Sequence, residues 1–210
     1  NDIACAHKND DTLHCWGLNT SNYITSANTN DVQTPLQIAA SVEHFEVGSG
    51  HVAIVHDNNT VFCTDNWKDY QDKQCANQFA SYTAVKQVVA NGGTTQLLLD
   101  NGTMVGYGYD YNATLARKGG ASPQNNYTVA HSWIYEDGAY SVLDNVTHVA
   151  GGGNSVLYGI MDNGSVIGVG ANNNANMGIA SDGVVCHWSG SQRDPCPDAS
   201  QANDTWIYLN

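Results

Sequence analysis

The chain has 210 residues, 13% of them charged, and a formal net charge of −13, with only 7 Lys and Arg against 20 Asp and Glu. So few cations exclude a phosphate-binding surface, hence nucleic acid as a partner, and equally a polybasic membrane anchor. No apolar run is long enough to span a bilayer, so membrane insertion is not expected, and the length suffices for one all-β domain with its own core. There is no initiator Met and no signal peptide, as expected of a mature product or a fragment.

In chain order, the first element is a hairpin from Ile3 to Asn19 (IACAHKNDDTLHCWGLN), in which a short apolar run meets an Asp/Asn turn, a hydroxyl residue and a second apolar run. The same punctuation recurs at His51 to Asn66, Thr94 to Asp110 and Ser155 to Asn172. Thr12, Thr60, Thr103 and Ser165 then fall in register, at spacings of 48, 43 and 62 residues. Repeated hairpins at such intervals predict a propeller or a solenoid. Paired residues of an antiparallel hairpin have a constant index sum. If Cys5 and Cys15 are bonded across the strands, the turn centres on Asp10 and the loop is odd, most simply Asn9, Asp10 and Asp11. Such a loop needs a left-handed third residue, and the third positions are Asp11, Asn59, Gly102 and Gly164, all tolerant of that conformation.

Short β-rich segments precede three of the hairpins: Val42–Val47 (VEHFEV), Val85–Ala90 (VKQVVA) and Val146–Ala150 (VTHVA), each running into a Gly-containing bend. A further strand is expected at Pro35–Ile38. Polar insertions occupy 110–130 and 171–206, and little helical periodicity is visible. The first hairpin lacks a preceding strand, while the β-rich segment Thr205, Trp206, Ile207, Tyr208 and Leu209 lies at the other end. That segment is expected to complete the Ile3–Asn19 blade, either in its own subunit or, as an assembly strand, in a neighbour.

Six cysteines fall as three local pairs, Cys5/Cys15, Cys63/Cys75 and Cys186/Cys196. An even count at short spacing favours disulfides in an oxidising compartment, and the absence of a C-x2-C doublet speaks against zinc. Asparagine is the other anomaly. Of 24 Asn, eight begin an N-x-Ser/Thr sequon: Asn19, Asn58, Asn101, Asn112, Asn126, Asn145, Asn163 and Asn203. Chance alone would give roughly three. Asn58, Asn101 and Asn163 stand in the middle of hairpin turns, where Asn is favoured anyway, but the rest still exceed chance. Dense sequons, disulfides and scarce Lys point to a secreted, heavily N-glycosylated extracellular protein.

These repeats resemble the regulator of chromosome condensation repeat family, which forms β-propellers. Thr12-Leu13-His14-Cys15-Trp16-Gly17-Leu18-Asn19, with Cys5 and Ala6, is similar to a disulfide-bearing extracellular version of the repeat's Gly-Thr-Val-x-x-Trp-Gly-x-Asn core. Pro35–Ile38 followed by Val42 to His51 matches the segment between repeats. Tyr107-Gly108-Tyr109-Asp110 is a third variant, and Val169-Gly170-Ala171-Asn172 with Met177-Gly178 a degenerate end. The resemblance covers residues 3–110 and 146–179. Thr64-Asp65 departs from it, standing where an aromatic-Gly pair is expected. The resemblance implies an all-β β-propeller of four recognisable blades, a small closed ring or a partial propeller. It implies one domain over 1–210, with repeats at about 3–41, 42–84, 85–145 and 146–179 and an insertion and closing strand at 180–210. It also implies a structural role for His51.

No catalytic motif appears: no nucleophile elbow, phosphate loop or metalloprotease signature. The Asp residues at 57, 100 and 162 belong to turns and complete no calcium loop, so neither metal nor cofactor is implied. Trp16 and Tyr107 read as packing between blades rather than as sugar platforms. Blade-equivalent turns should share one face, so Asn58, Asn101 and Asn163 would carry a ring of glycans. The first functional reading is a non-catalytic structural glycoprotein, a building block of a surface coat or fibre assembled by head-to-tail contacts with itself. The second is a soluble protein-binding or inhibitory propeller whose partner is another extracellular protein, and the third, ranked last, a glycan-acting enzyme. A guanine-exchange role does not fit the secretory features.

Overall fold

A computed structural model describes residues 3–20, 22–25, 27, 29–48, 50–64, 75–91, 93–109, 129–136, 139–152, 156–170, 188–189, 192–193 and 207–208. Each of the four repeated hairpins is the centre of a small antiparallel sheet. Blade one holds β1 (Ile3–His7), β2 (Leu13–Gly17) and β3 (Val32–Ala39) in that spatial order. Blade two holds β4 (Val42–Val47), β5 (Val52–His56) and β6 (Val61–Cys63), followed by a single helical turn, α1 (Cys75–Gln78). Blade three holds β7 (Val85–Asn91), β8 (Gly93–Leu99), β9 (Met104–Tyr109) and β10 (Ala130–His131). A separate hairpin, β11 (Trp133–Glu136) with β12 (Ala139–Val142), leads into blade four, which holds β13 (Val146–Gly152), β14 (Val156–Met161) and β15 (Val166–Gly170). Beyond it lie a two-residue pair, β16 (Trp188–Ser189) with β17 (Gln192–Arg193), and β18 (Ile207–Tyr208).

The index-sum expectation holds. Cys5 faces Cys15 and Ile3 faces Gly17, and the Lys8 N–H donates to the Thr12 carbonyl at 2.9 Å, leaving Asn9, Asp10 and Asp11 as the loop. The same closing bond joins His56 to Thr60, Leu99 to Thr103 and Met161 to Ser165, each at 2.9 Å. The third loop residues have positive φ throughout: Asp11 58°, Asn59 62°, Gly102 80° and Gly164 84°.

Each turn is tied to the next blade. The Val42 N–H donates to the Asp11 carbonyl at 3.0 Å, the Val85 N–H to Asn59 Oδ1 at 3.1 Å, and the Val146 N–H to the Gly102 carbonyl at 3.0 Å. The residue before each of these valines is also left-handed: Ser41 at 53°, Ala84 at 63° and Asn145 at 57°. Its carbonyl accepts from the first residue of its own blade's turn, Asp57 (2.9 Å), Asp100 (2.9 Å) or Asp162 (2.8 Å). Turn thus follows turn along a single hydrogen-bonded rim. A left-handed Ser or Ala costs about 1–2 kcal/mol, and these bonds offset that cost.

Between blades, strand alternation does the packing. Val42, Val52 and Ile54 of blade two meet Ile3, Leu13, Cys15 and Ile24 of blade one in a first core. The alternate residues Ala53 and Val55 meet Val88, Ala90, Leu97 and Val105 of blade three in a second. Leu98, Met104 and Val89 meet Val146, Val149, Leu157 and Ile167 of blade four in a third, roofed by Ile134 and Leu143. The middle strands bury both faces, so they are continuously apolar (VAIV, LLL). Among the described residues there are three such cores for four blades, and none joins blade one to blade four. Over the described residues the blades form an open arc.

The C-terminal strand corrects an expectation. Ile207 and Tyr208 pair with Gly168 and Ile167 of β15, not with blade one. The reason is the second hairpin strand's open edge. β3 covers β2 in blade one and β10 covers β9 in blade three, and β18 occupies the same place on β15. Thr205, Trp206 and Leu209 lie outside the described residues. Pro35–Ile38 falls within β3, as expected.

Gly102 and Gly164 separate two costs. A Cβ on Gly102 would lie 2.8 Å from the Asn145 N, whereas one on Gly164 would meet nothing within 4 Å. Gly164→Ala should cost only the left-handed strain, about 1–2 kcal/mol. Gly102→Ala should cost clearly more in denaturant unfolding, because the turn must also part from blade four. Equal losses would mean that the turn-to-blade contact contributes nothing.

Candidate functional site

Three of the sequon Asn residues lie in the turns of the rim. In three turns the middle residue is a sequon Asn whose Oδ1 points back into its own loop. Asn58 Oδ1 accepts from the Thr60 N–H at 3.0 Å and hydroxyl at 2.6 Å, and Asn101 Oδ1 from the Thr103 N–H at 3.0 Å and hydroxyl at 2.7 Å. Asn163 Oδ1 accepts from the Ser165 N–H at 2.9 Å. All three side chains are exposed, and their Nδ2 atoms have no partner among the described residues. Blade one repeats the geometry with a carboxylate. Asp10 Oδ1 accepts from the Thr12 hydroxyl at 2.6 Å and N–H at 3.2 Å, while Oδ2 meets Lys8 Nζ at 2.9 Å. The Thr12 hydroxyl, then Lys8, hold this carboxyl well below the usual carboxylate range. Asn145 is exposed beside the Asn101 turn, its Nδ2 donating to Asp144 Oδ1 at 2.8 Å.

Asn19 departs from the expectation of a surface glycan site, because it is fully buried. Its Oδ1 accepts from the Ile24 N–H at 2.8 Å and the Thr25 N–H at 3.1 Å, and its Nδ2 donates to the Thr25 carbonyl at 3.2 Å. Asn112, Asn126 and Asn203 lie outside the described residues, as do Cys186 and Cys196. Cys5–Cys15 and Cys63–Cys75 are disulfides. The first clamps β1 to β2, and the second ties α1 to β6, so that Phe79 enters the second core with its ring centroid 6.2 Å from Tyr107.

His51 is buried, and its Nε2 lies 3.0 Å from Thr95 Oγ1, linking blade two to blade three, which is a structural role. Tyr107 packs between blades as expected. Trp16 does not: Leu13 and Cys15 take the face of β2 toward blade two, so alternation turns Trp16 to the opposite face, where it is half-buried opposite Ala4. Thr64, the departure from the repeat pattern, has its own task. Its hydroxyl donates to the Tyr23 carbonyl and accepts from the Val52 N–H at 2.9 Å, joining blade one to blade two.

Two further features carry no sequence signal. Gln87 grips the backbone of the next blade with both amide atoms, Nε2 donating to the Val149 carbonyl and Oε1 accepting from the Val149 N–H at 3.1 Å. At the ends of the arc, apolar residues face outward. Ile160 and Val166 are cross-strand partners on the outer face of blade four, 45% and 44% exposed. On the outer face of blade one, Ala4 and Ala6 are exposed beside Trp16 and His14. Whether such a face is covered depends on what packs there, not on local pattern.

Four antiparallel blades, chained by their turns and packed through alternating faces, are matched by solved structures. Prp20p from Saccharomyces cerevisiae, described with its binding properties to Gsp1p and histones, is similar with a TM-score of 0.69 at 12% identity, over 100% of this chain and 50% of that one. The fold is the RCC1-type β-propeller fold. Human WBSCR16 is similar at a TM-score of 0.65 and 15% identity, over 95% of this chain and 52% of that one. Yeast RCC1 (Prp20) in its structure with Kap60 gives 0.63 at 12% identity, over 99% and 47%. The chain therefore spans about half the length of these RCC1-type structures. No protein-family profile and no curated protein matches it.

Glu46 lies in β4 of blade two, opposite Ala53. Burial pushes its carboxyl above the ordinary value. The folded state then binds the proton more tightly than the unfolded chain. Stability should fall as pH rises from the ordinary carboxylate range through the raised folded value. Glu46→Gln should remove that slope and raise the melting temperature at neutral pH. An unchanged slope would show that Glu46 ionises without cost.

Proposed function

We propose that this chain is a non-catalytic, secreted, N-glycosylated structural protein, a unit of a surface coat or fibre that assembles head to tail through its end blades. The observation that carries the reading is that, among the described residues, four blades share three cores, and blade four turns Ile160 and Val166 outward at one end of the arc. A head-to-tail contact sets the outer face of blade four against the outer face of blade one, which repeats the face-to-face packing used between blades inside the arc. Such a heterologous contact either closes a ring or runs on as a filament. Two disulfides and eight sequons support an oxidising, extracellular setting, and seven Lys and Arg support neither nucleic acid nor an anionic membrane as partner.

A soluble protein-binding module is the second reading. It is favoured by the similar solved propellers, one described with binding properties to Gsp1p and histones and one bound to Kap60. The two readings differ in what covers the end faces. Electron microscopy and native mass measurement of the purified glycoprotein should show oligomers, rings or filaments, and Ile160→Asp should return them to monomers with an unchanged melt. A monomer at all concentrations, with Ile160→Asp behaving as the parent, would overturn the assembly reading and leave the binding module.

A further inference from the structure

We infer that the fold sorts its own sequons: Asn58, Asn101 and Asn163 are acceptors in the folded protein, whereas Asn19 is a structural amide whose glycosylation and native folding exclude each other. The inference rests on the secretory reading above and sharpens it.

A glycan attaches through Nδ2. In the three turns the amide is oriented by its oxygen, which the loop's own N–H and, in two of them, hydroxyl hold inward, so that Nδ2 is the solvent-facing atom. A sugar there projects from the rim without breaking a bond. At Asn19 the same triplet, Asn19-Thr20-Ser21, has the opposite surroundings. The side chain has no exposure, and both amide atoms are spent on residues 24 and 25. The Asn19 N–H also donates to Asp31 Oδ1 at 3.1 Å, and its carbonyl accepts from the Asn22 N–H at 2.9 Å. A glycosylated Nδ2 keeps one hydrogen, but a sugar needs volume that a fully buried side chain does not have.

More than a loop depends on this residue. By fixing 22–25, Asn19 delivers Ile24, 3% exposed, into the core between blades one and two. It also places the Tyr23 carbonyl where the Thr64 hydroxyl of blade two donates to it. A glycan on Asn19 would therefore expel Ile24 and part the first two blades. A chain modified there before folding is a chain that cannot complete blade one. Blade one's own turn carries Asp10 in place of Asn, so the first blade is bare of rim glycans as well.

The test places the chain behind a cleavable signal peptide in a eukaryotic cell, so that every sequon meets the oligosaccharyltransferase whatever the natural compartment. Glycopeptide mapping of secreted protein should find sugar on Asn58, Asn101 and Asn163 and none on Asn19. Sugar on Asn19 in secreted protein with a native melt would overturn the exclusion, and bare turns would overturn the acceptor assignment. Ser21→Ala removes the sequon but keeps Asn19, and should melt like the parent and be secreted at least as well. Asn19→Ala should lower the melting temperature by several degrees or abolish secretion. If the parent is retained in the cell, restored secretion of Ser21→Ala supports the exclusion, and continued retention contradicts it. Because entry into the secretory pathway is imposed, these outcomes stand apart from whether the protein is naturally secreted.

Discussion

Each three-residue turn holds its third residue in the left-handed region, and in the first three blades an oxygen of that residue accepts from the strand that opens the next blade. From this constraint much of the arc follows. Asp11, Asn59 and Gly102 each offer an oxygen to the valine that opens the following blade, and the residue before that valine is bent left-handed in turn. The turns are thereby a continuous hydrogen-bonded rim and not four independent loops. Gly164, in the last blade, has the same conformation and open space around it.

The rim sets the position of each blade, and the cores then bind one to the next. Leu97 and Leu98 are adjacent in sequence and fully buried, yet they belong to different cores on opposite sides of one sheet. A propeller blade is in this sense a partition with two dry faces, and burying a Leu on either side contributes about 1.5–3 kcal/mol. Among the described residues, an end blade shares only one of its faces with a neighbouring blade. In blade four the cross-strand pair Ile160 and Val166 stays exposed on the face turned away from blade three.

Local chemistry was legible in the sequence. The Cys5–Cys15 pair fixed a turn length, the aligned hydroxyls fixed the register of the other three, and Asp, Asn and Gly at the third loop positions marked the left-handed residues. Tertiary dependence was not legible. Ser41 and Ala84 carry no signal for a left-handed backbone, and the bonds to the turns impose it. The strand character of residues 205–209 was visible, but its partner was not, since an open edge on β15 satisfies a short strand as well as one on β1. An N-x-Ser/Thr triplet states nothing about burial, so Asn19 looked like Asn58. Trp16 faces away from the first core because its neighbours in the motif, Leu13 and Cys15, occupy the inward positions of β2.

The central claim is that the turns belong to the cooperative structure of the blades. Amide hydrogen exchange under native conditions tests it at Asp57, Asp100 and Asp162, exposed turn residues whose N–H groups donate to the left-handed Ser41, Ala84 and Asn145. The account predicts that these three amides exchange with the slow strand amides and open only when the blades do. Exchange at the rate of a free, solvent-exposed turn would contradict it.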